Sequence, residues 1–542
     1  MSPRRITFPL VAAALAAAAL PTAASAKGGF ADGVAAAEVT QGSAVLWTRA
    51  TRPGKLKLEV SRDKKLRRGV KRFSLNARRA SDLTVQREVE KLKAGKRYYY
   101  RFRQGGGRSE IGTFKTAPKP KQKATVEFAW TGDADPVKAP GSDKLNFAPF
   151  GVYSRMAAEG NDFNVNLGDT IYSDTDSEFE FTDPLALSVD AKRAKYRTML
   201  SERSLRRIRA AAGMYNHWDD HEFLNDFARS QTDYPTASGT QPGQPKRIQK
   251  VDGEKLYRDG AKAFREYMPV TYSKKDGIYR TMRWGKNLEV FFLDQRSFRD
   301  AGADDGGVCD NPPGSGIRDL APMAPQRIRN TFSLLVPSLA SPPPPACVAR
   351  IRDPQRTYLG SRQYAAFTKA IKRSDATFKV VMNELPIQTF YADPYDRWEG
   401  YEAERNKLLA YLKANVKNVI FLTADVHANL INDARLKTLE DGGPVDSGIM
   451  DITAGPAGTD TFADDLNDET GNPQAADLAN AAFFRKPPPD GPGIQCSQLR
   501  TDSYGQVKVT SKKLTVKLID ENGKPVKDPD GKTCGPYTIK KK

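Results

Sequence analysis

Six short apolar runs constrain this chain more than any other feature. They lie at residues 126–130, 163–167, 288–293, 378–382, 419–423 and 449–453, each too short for a globular helix. Between them fall segments with helical spacing, among them 184–211, 253–267 and 361–373. Such alternation predicts an α/β domain around a largely buried sheet. Most of the runs lead into a polar residue of catalytic type: Asp133, Asp169, Asp294, Asn383 and Asp425. Open α/β sheets place their sites beyond the carboxyl ends of strands, so one cleft is predicted to gather all five.

The chain before residue 117 reads differently. Short alternating strands at 44–48, 55–60, 83–85 and 97–103, separated by turn residues, predict a β-sandwich of immunoglobulin or fibronectin III type over 28–116. Leu92-Lys93-Ala94-Gly95 ahead of Tyr98 has the form of a tyrosine corner. Residues 117–123, with Pro118 and Pro120 among lysines, are the expected linker to a catalytic domain at 124–542. A closing hairpin is expected over 505–518, where Val507, Val509, Leu514, Val516 and Leu518 alternate with polar residues.

Residues 1–26 have the pattern of an export signal: Arg4 and Arg5, an apolar run over 9–20, and Ala24-Ser25-Ala26 before Lys27. The apolar run is too short for a comfortable membrane span, and no later stretch approaches twenty apolar residues. A secreted or extracytoplasmic location follows, reached by the twin-arginine or the general secretory route. Four cysteines, Cys309, Cys347, Cys496 and Cys534, then predict two disulfides, with all three connectivities open and the most local one joining 309 to 347 and 496 to 534. The formal net charge of +20 suits either a solvated basic surface or attraction to anionic substrates and envelope surfaces. No basic segment forms a sequence-specific nucleic-acid module.

The chain has three histidines, His217, His221 and His427. His217, ahead of Trp218, is read as a packing residue. His221 and His427 each sit within two residues of an aspartate in segments that would line the cleft. Asp133, Asp169, Asp220, Asp425 and His427 make an oxygen-rich set with imidazole, the donor chemistry of hard cations and of transition metals. Gly168 lets the chain turn tightly after its strand and frees Asp169 to bridge two ions. Arg296, beside Asp294, is placed to grip phosphate oxygens bidentately or to form a structural pair. Other catalytic patterns are absent: His221-Glu222-Phe223-Leu224-Asn225 lacks the second histidine of a zinc-protease helix, Gly314-Ser315-Gly316 is no nucleophile elbow, and no phosphate-binding glycine loop occurs. Hydrolysis by a metal-activated water is the chemistry that remains.

Four blocks in order, Leu167-Gly168-Asp169-Thr170-Ile171-Tyr172, Trp218-Asp219-Asp220-His221-Glu222, Leu293-Asp294-Gln295-Arg296-Ser297-Phe298-Arg299 and Asp425-Val426-His427, resemble the PhoD-like alkaline phosphatase D family within the calcineurin-like metallophosphoesterases. Gly33-Val34 and Val45-Leu46-Trp47-Thr48-Arg49 look like the opening of that family's N-terminal domain. The resemblance implies a layered α/β metallophosphoesterase sandwich holding Fe3+ and Ca2+. It assigns Tyr172 as the tyrosine ligand, Asp169 as the bridge, and Asp425 and His427 as ligands from the late strand. Asp220, or its neighbour Asp219, is a further ligand, and His221 is the general acid or oxyanion stabiliser.

Two departures from the family pattern stand out. Thr131-Gly132-Asp133 replaces a segment that often carries a cysteine, so Asp133 would supply a harder donor. Ala424 stands where a glycine often precedes the aspartate. The expected function is hydrolysis of phosphate esters. A phosphodiesterase or phospholipase D-like activity is the alternative, with residues 301–347 shaping the cleft. Outside enzymes, the alternative is an extracellular calcium-storing protein that binds the envelope.

Overall fold

In the computed structural model, residues 29–139, 142, 144–174, 185–236 and 247–542 are described. The export signal expected at 1–26 lies outside them.

All six apolar runs are strands: Val126–Thr131, Phe163–Leu167, Leu288–Phe292, Phe378–Met382, Val419–Thr423 and Val445–Thr453. They are divided between two sheets. In a nine-stranded sheet, Val126–Thr131, Phe163–Leu167 and Gly213–His217 run parallel at the centre. In a seven-stranded sheet, Leu288–Phe292, Phe378–Met382, Val419–Thr423 and Val445–Thr453 run parallel. The inner faces share one core, which includes Phe128, Trp130, Val165, Val290, Val380 and Leu422. Trp130 Nε1 donates across it to the Thr423 carbonyl at 2.9 Å, tying the two sheets together just below the strand ends. Gly505, on the strand beside Trp130, leaves room for that indole, since a Cβ there would sit 2.0 Å from the ring.

Helices cover the outer faces. Gly253–Tyr267 and Ser361–Arg373 match the expected segments, the first capped by the Asp252 side chain accepting from Lys255 N. The helical spacing expected from residue 184, whose start lies outside the described residues, resolves into Val189–Ser201 and Arg203–Ala211, interrupted by the extended backbone of Glu202. The strand Gly213–His217 is missing from the sequence reading because Gly213, Asn216 and His217 interrupt its apolar character, although all five residues are buried.

The N-terminal strands do not stand apart from this body. Val34–Ala37 pairs in parallel with Gly213–His217, and Ala44–Arg49 and Thr84–Val89 continue the nine-stranded sheet. Lys71–Ala77, Gly54–Ser61 and Arg97–Gln104, with two short strands, form a five-stranded sheet whose Leu58, Tyr100 and Phe102 enter the same core. Tyr98 Oη accepts from Lys93 N–H at 2.8 Å, the contact expected of a tyrosine corner. The expected linker is likewise tied down, with Ala117 fully buried. The hairpin expected over 505–518 pairs Ser503–Val509 with Lys513–Asp520. It is not an edge, because Tyr537–Lys540 extends the sheet beyond it. Disulfides join Cys309 to Cys347 and Cys496 to Cys534, the local connectivity.

Glu38 locks the junction between the N-terminal strands and the catalytic sheets. Its carboxylate accepts from Arg280 Nε at 3.0 Å and from Thr271 Oγ at 2.6 Å, and both charged side chains are 4% exposed. Glu38→Ala strands the Arg280 guanidinium in the interior. We expect a loss of about 3–5 kcal/mol in urea-induced unfolding, with both sections of the chain unfolding together; an unchanged midpoint would remove Glu38 from this role.

Candidate metal centre

The strand ends of both sheets meet at one place. Asp133 follows Val126–Thr131, Asp169 follows Phe163–Leu167, Asp219 and Asp220 follow Gly213–His217, and Asp425 follows Val419–Thr423. Oxygens of Asp169, Asp219, Asp220 and Asp425 lie within 4.8 Å of one another, and Asp169, Asp220 and His221 form a second such group. Asp133 adjoins them, its Oδ2 accepting from Asp425 N at 3.2 Å. Of the five strand-end residues expected in one cleft, three arrive. Asp294 instead turns its carboxylate onto Ile278 N, Ser297 N and Trp218 Nε1. Asn383 accepts from Trp398 Nε1. Both are buried braces.

Sharp backbone turns aim the carboxylates. Asp133, Asp169, Asp425 and His427 all have positive φ, between 47° and 64°, a left-handed conformation that aspartate tolerates better than most residues. Gly168, with φ of 98°, is obligatory, because a Cβ there would meet Asp219 Cβ at 2.5 Å. Ala424 keeps negative φ in the position where a glycine is common.

Glu222 holds the two ligand loops together. Its carboxylate accepts from Asp169 N at 3.0 Å, Thr170 N at 2.8 Å and Asp219 N at 2.8 Å, so the loops after two neighbouring strands share one acceptor. In the sequence nothing but its place after His221 marks this residue. Asp174 was similarly hidden. It accepts from His221 Nδ1 at 2.6 Å, Asn225 N at 2.6 Å and Tyr234 Oη at 2.7 Å, and it is held below the ordinary carboxylate range, these donors and the His221 charge outweighing burial. Burial opposes a proton on His221, but Asp174 and Asp220 prevail and lift it to about 10. The Tyr172 ring stacks on His221 with centroids 4.1 Å apart, and Tyr172 Oη lies 3.2 Å from His427 Nε2.

Of the two readings of Arg296, phosphate clamp or structural pair, its contacts favour the pair. Fully buried, it donates to Asp396 Oδ1 at 2.6 Å and Oδ2 at 2.8 Å, and its Nε donates to Asp219. Its second nitrogen faces Asp220 and Asp425 at 3.5 and 3.6 Å. The guanidinium therefore serves the acidic cluster, and its pairing partner is Asp396 rather than the neighbouring Asp294. His217 is the packing residue expected, its Nδ1 2.9 Å from buried Glu384.

Arg296 is shared among Asp219, Asp220, Asp425 and Asp396, so the carboxylates of the cluster outnumber its positive charge. Burial, then repulsion from Asp220 and Asp219, raises Asp169 well above the usual carboxylate range. Burial raises Asp133 to about 7 and Asp425 to about 6, with neighbouring aspartates adding to the effect. Asp219 Oδ2 is buried with no hydrogen-bond partner. Convergent carboxylates with too few donors to satisfy them fit cations, and every candidate ligand atom is oxygen or imidazole nitrogen. Asp219 brings the unpartnered oxygen, while Asp220 belongs to both groups and accepts from Asp226 N at 2.6 Å. The centre opens into a cavity of about 280 Å³.

Two sheets sandwiched between helices, with aspartates and histidines at their strand ends, define an α/β fold of phosphoesterase type. The chain belongs to the PhoD-like phosphatase family: that family's profile matches residues 141–518, and the profile of the PhoD-like phosphatase N-terminal domain matches residues 14–118. It is 26% identical over 435 residues to alkaline phosphatase D of Bacillus subtilis (strain 168), a match covering 74% of this chain and 64% of that protein, so it spans a little under two thirds of that relative. The solved structure of PhoD aligns with a TM-score of 0.66 at 20% identity, covering 94% of this chain and 89% of the other. Purple acid phosphatase PPD1 from yellow lupin (Lupinus luteus) aligns with a TM-score of 0.53 at 11% identity, covering 94% and 74%. These two likenesses establish the fold alone.

Glu222→Gln turns an amide N–H toward backbone donors and loosens both ligand loops. We expect about a 10–100-fold loss of cation affinity by titration calorimetry, with the circular dichroism spectrum retained. Unaltered affinity would show that the loops hold without it.

Proposed function

We propose that this chain is an exported, metal-dependent phosphoesterase that hydrolyses phosphate esters as its alkaline phosphatase D relative is named for doing. The observation that carries this reading is the convergence of Asp169, Asp219, Asp220 and Asp425 within 4.8 Å, beside a histidine backed by its own aspartate. Family membership supports the same reading. Two disulfides suit an oxidising compartment, and no helix among the described residues is long and apolar enough to cross a membrane. The outer face of the five-stranded sheet carries exposed Lys55, Lys57, Arg97 and Arg103, which supports association with an anionic envelope.

Asp133, Asp169, Tyr172, Asp220, Asp425 and His427 are the proposed ligands, with Asp219 a further candidate. A phenol among carboxylates suits Fe3+, and carboxylates alone suit Ca2+. Cations bound there supply Lewis acidity toward a phosphate oxygen and make water a usable nucleophile near neutral pH. The chain's own residues do the rest. Asp174 fixes the His221 tautomer by accepting from Nδ1, which leaves Nε2 to carry the proton for the leaving oxygen. The stacked Tyr172 ring holds the imidazole plane. Arg296 offsets the charge of Asp219 and Asp396 and keeps their loops in register. We assign the N-terminal strands a bracing role beside the catalytic sheets.

A diesterase reading draws on a separate observation. Leu320, Ile328 and Leu339, from the segment expected to shape the cleft, line the cavity beside His221 and leave room for a second ester group.

Asp169→Asn is expected to lower hydrolysis of a phosphomonoester, assayed at alkaline pH with calcium, by at least two orders of magnitude. Near-native turnover by folded variant protein would overturn the metal role. A protein that only binds calcium shows no hydrolysis at all and is indifferent to changes at His221. Purified protein that contains ferric iron should absorb in the visible, and Tyr172→Phe should bleach it. Asp174→Asn removes the charge that keeps His221 protonated, so its pKa falls; the alkaline limb of the rate profile, where His221 loses its proton, is expected to move to lower pH. An unmoved limb would exclude His221 as the acid.

A further inference from the structure

The cavity in front of the metal centre has two chemistries. Asp169, Asp220, His221, Asp425 and His427 line one part of it. Phe332, Leu335, Val336, Leu466, Phe483 and Phe484 line another, and all but Leu335 belong to a hydrophobic cluster separate from those that hold the two sheets. This apolar wall comes from two insertions, one around the helix Gln326–Phe332, the other around the helix Phe462–Thr470 and the turn Asn480–Phe484.

A wall of this kind selects the part of the ester that is not phosphate. Sugar or glycerol hydroxyls pressed against it would lose water and gain no partner. Asp226, Asp393 and Asp465 also face the cavity, and its two arginines, Arg329 and Arg397, are already paired with Asp319 and Glu399, so a second phosphate or a carboxylate on the substrate meets more like charge than opposite charge. An alkyl chain meets neither penalty. At about 30 Å³ for a water-sized group, a cavity of about 280 Å³ takes on the order of nine non-hydrogen atoms.

Resting on the phosphoesterase reading, we propose that the substrate class is amphiphilic: phosphate esters whose organic group is an alkyl chain of medium length with no second anionic group, seated against Leu335, Val336 and Phe483. The phosphate then lies at the acidic end and the chain extends between the two insertions. The wall acts on specificity and takes no part in the chemical step.

The test is a series of n-alkyl phosphates from methyl to octyl, held below their micellar concentrations, with glycerol phosphate as the hydrophilic comparator. We expect kcat/KM to rise about two- to fourfold per methylene and to level off as the cavity fills. Leu335→Asn and the nearly isosteric Val336→Thr, both at partly exposed positions, should flatten that slope and leave the methyl ester unchanged. An enzyme that hydrolyses methyl, octyl and glycerol phosphates with equal kcat/KM overturns this inference and leaves the phosphoesterase reading standing. One that hydrolyses none of them overturns both. A slope that survives in both variants also overturns the inference, because the preference would then arise elsewhere.

Discussion

Mutual repulsion among buried carboxylates is the constraint on which this structure turns. Left to themselves, Asp169, Asp219, Asp220 and Asp425 would separate or take up protons: burial first, and repulsion from neighbouring aspartates after it, raises Asp169, Asp219 and Asp425 above the ordinary carboxylate range. Rigid strands prevent separation. The carboxylates stand on the ends of strands from two different sheets, and the sheets are joined by a common apolar core and by the Trp130 indole reaching Thr423. Hydrophobic burial thus holds together a charge arrangement that cations stabilise.

The local backbone carries part of the same load. Left-handed turns at Asp133, Asp169 and Asp425 point side chains inward that an extended continuation would send elsewhere, and Gly168 lets the Asp169 turn pass against Asp219. Glu222 is itself a buried carboxyl in an acidic neighbourhood; burial pushes it up to about 7, and the three backbone N–H groups that converge on it pull the other way. Arg296 answers the charge from the other side. A bidentate pair with Asp396 orients it, and a fully buried guanidinium so held has no freedom to follow a substrate.

Much of this was legible in the sequence, for reasons that can be named. Parallel strands buried on both faces leave uninterrupted apolar runs, and all six runs are strands. Gly213–His217 escaped because Asn216 and His217 lie within it, with partners no local pattern reveals: Asn216 donates to the Pro269 carbonyl at 2.9 Å, and Glu384 meets His217. Strand-end polar residues were a sound guide to the centre but not a sufficient one. Asp294 and Asn383 occupy equivalent positions and face neighbouring backbone and indole groups, a matter of side-chain direction that spacing cannot encode. Glu222 ends the Trp218–Glu222 block and Asp174 lies two residues past Tyr172, but their roles depend on partners some fifty residues away. The N-terminal strands read correctly as alternating β-structure, while their pairing with Gly213–His217 is a long-range register that alternation alone does not predict.

The division of labour between regular and irregular structure follows from these observations. Strand ends can hold several carboxylates to a fraction of an ångström because each strand is fixed by its neighbours, and the centre is built there. The apolar wall of the cavity comes mostly from segments outside the sheets, with Leu430 a strand's contribution to its cluster, so other devices help to fix it. The segment that supplies Leu335 and Val336 lies between Cys309 and Cys347, whose bridge closes its ends. Within that loop the fully buried Arg329 grips Asp319 through both nitrogens, at 2.7 and 2.8 Å, and reaches the carbonyls of Ala321 and Ser341. An ion pair this deeply buried is a poor source of net stability, but its directional bonds select one loop conformation over many. A flexible loop would collapse onto its own leucines and fill the cavity. Stapled and pinned, it keeps an apolar surface open next to a charged centre, which neither sheet could supply.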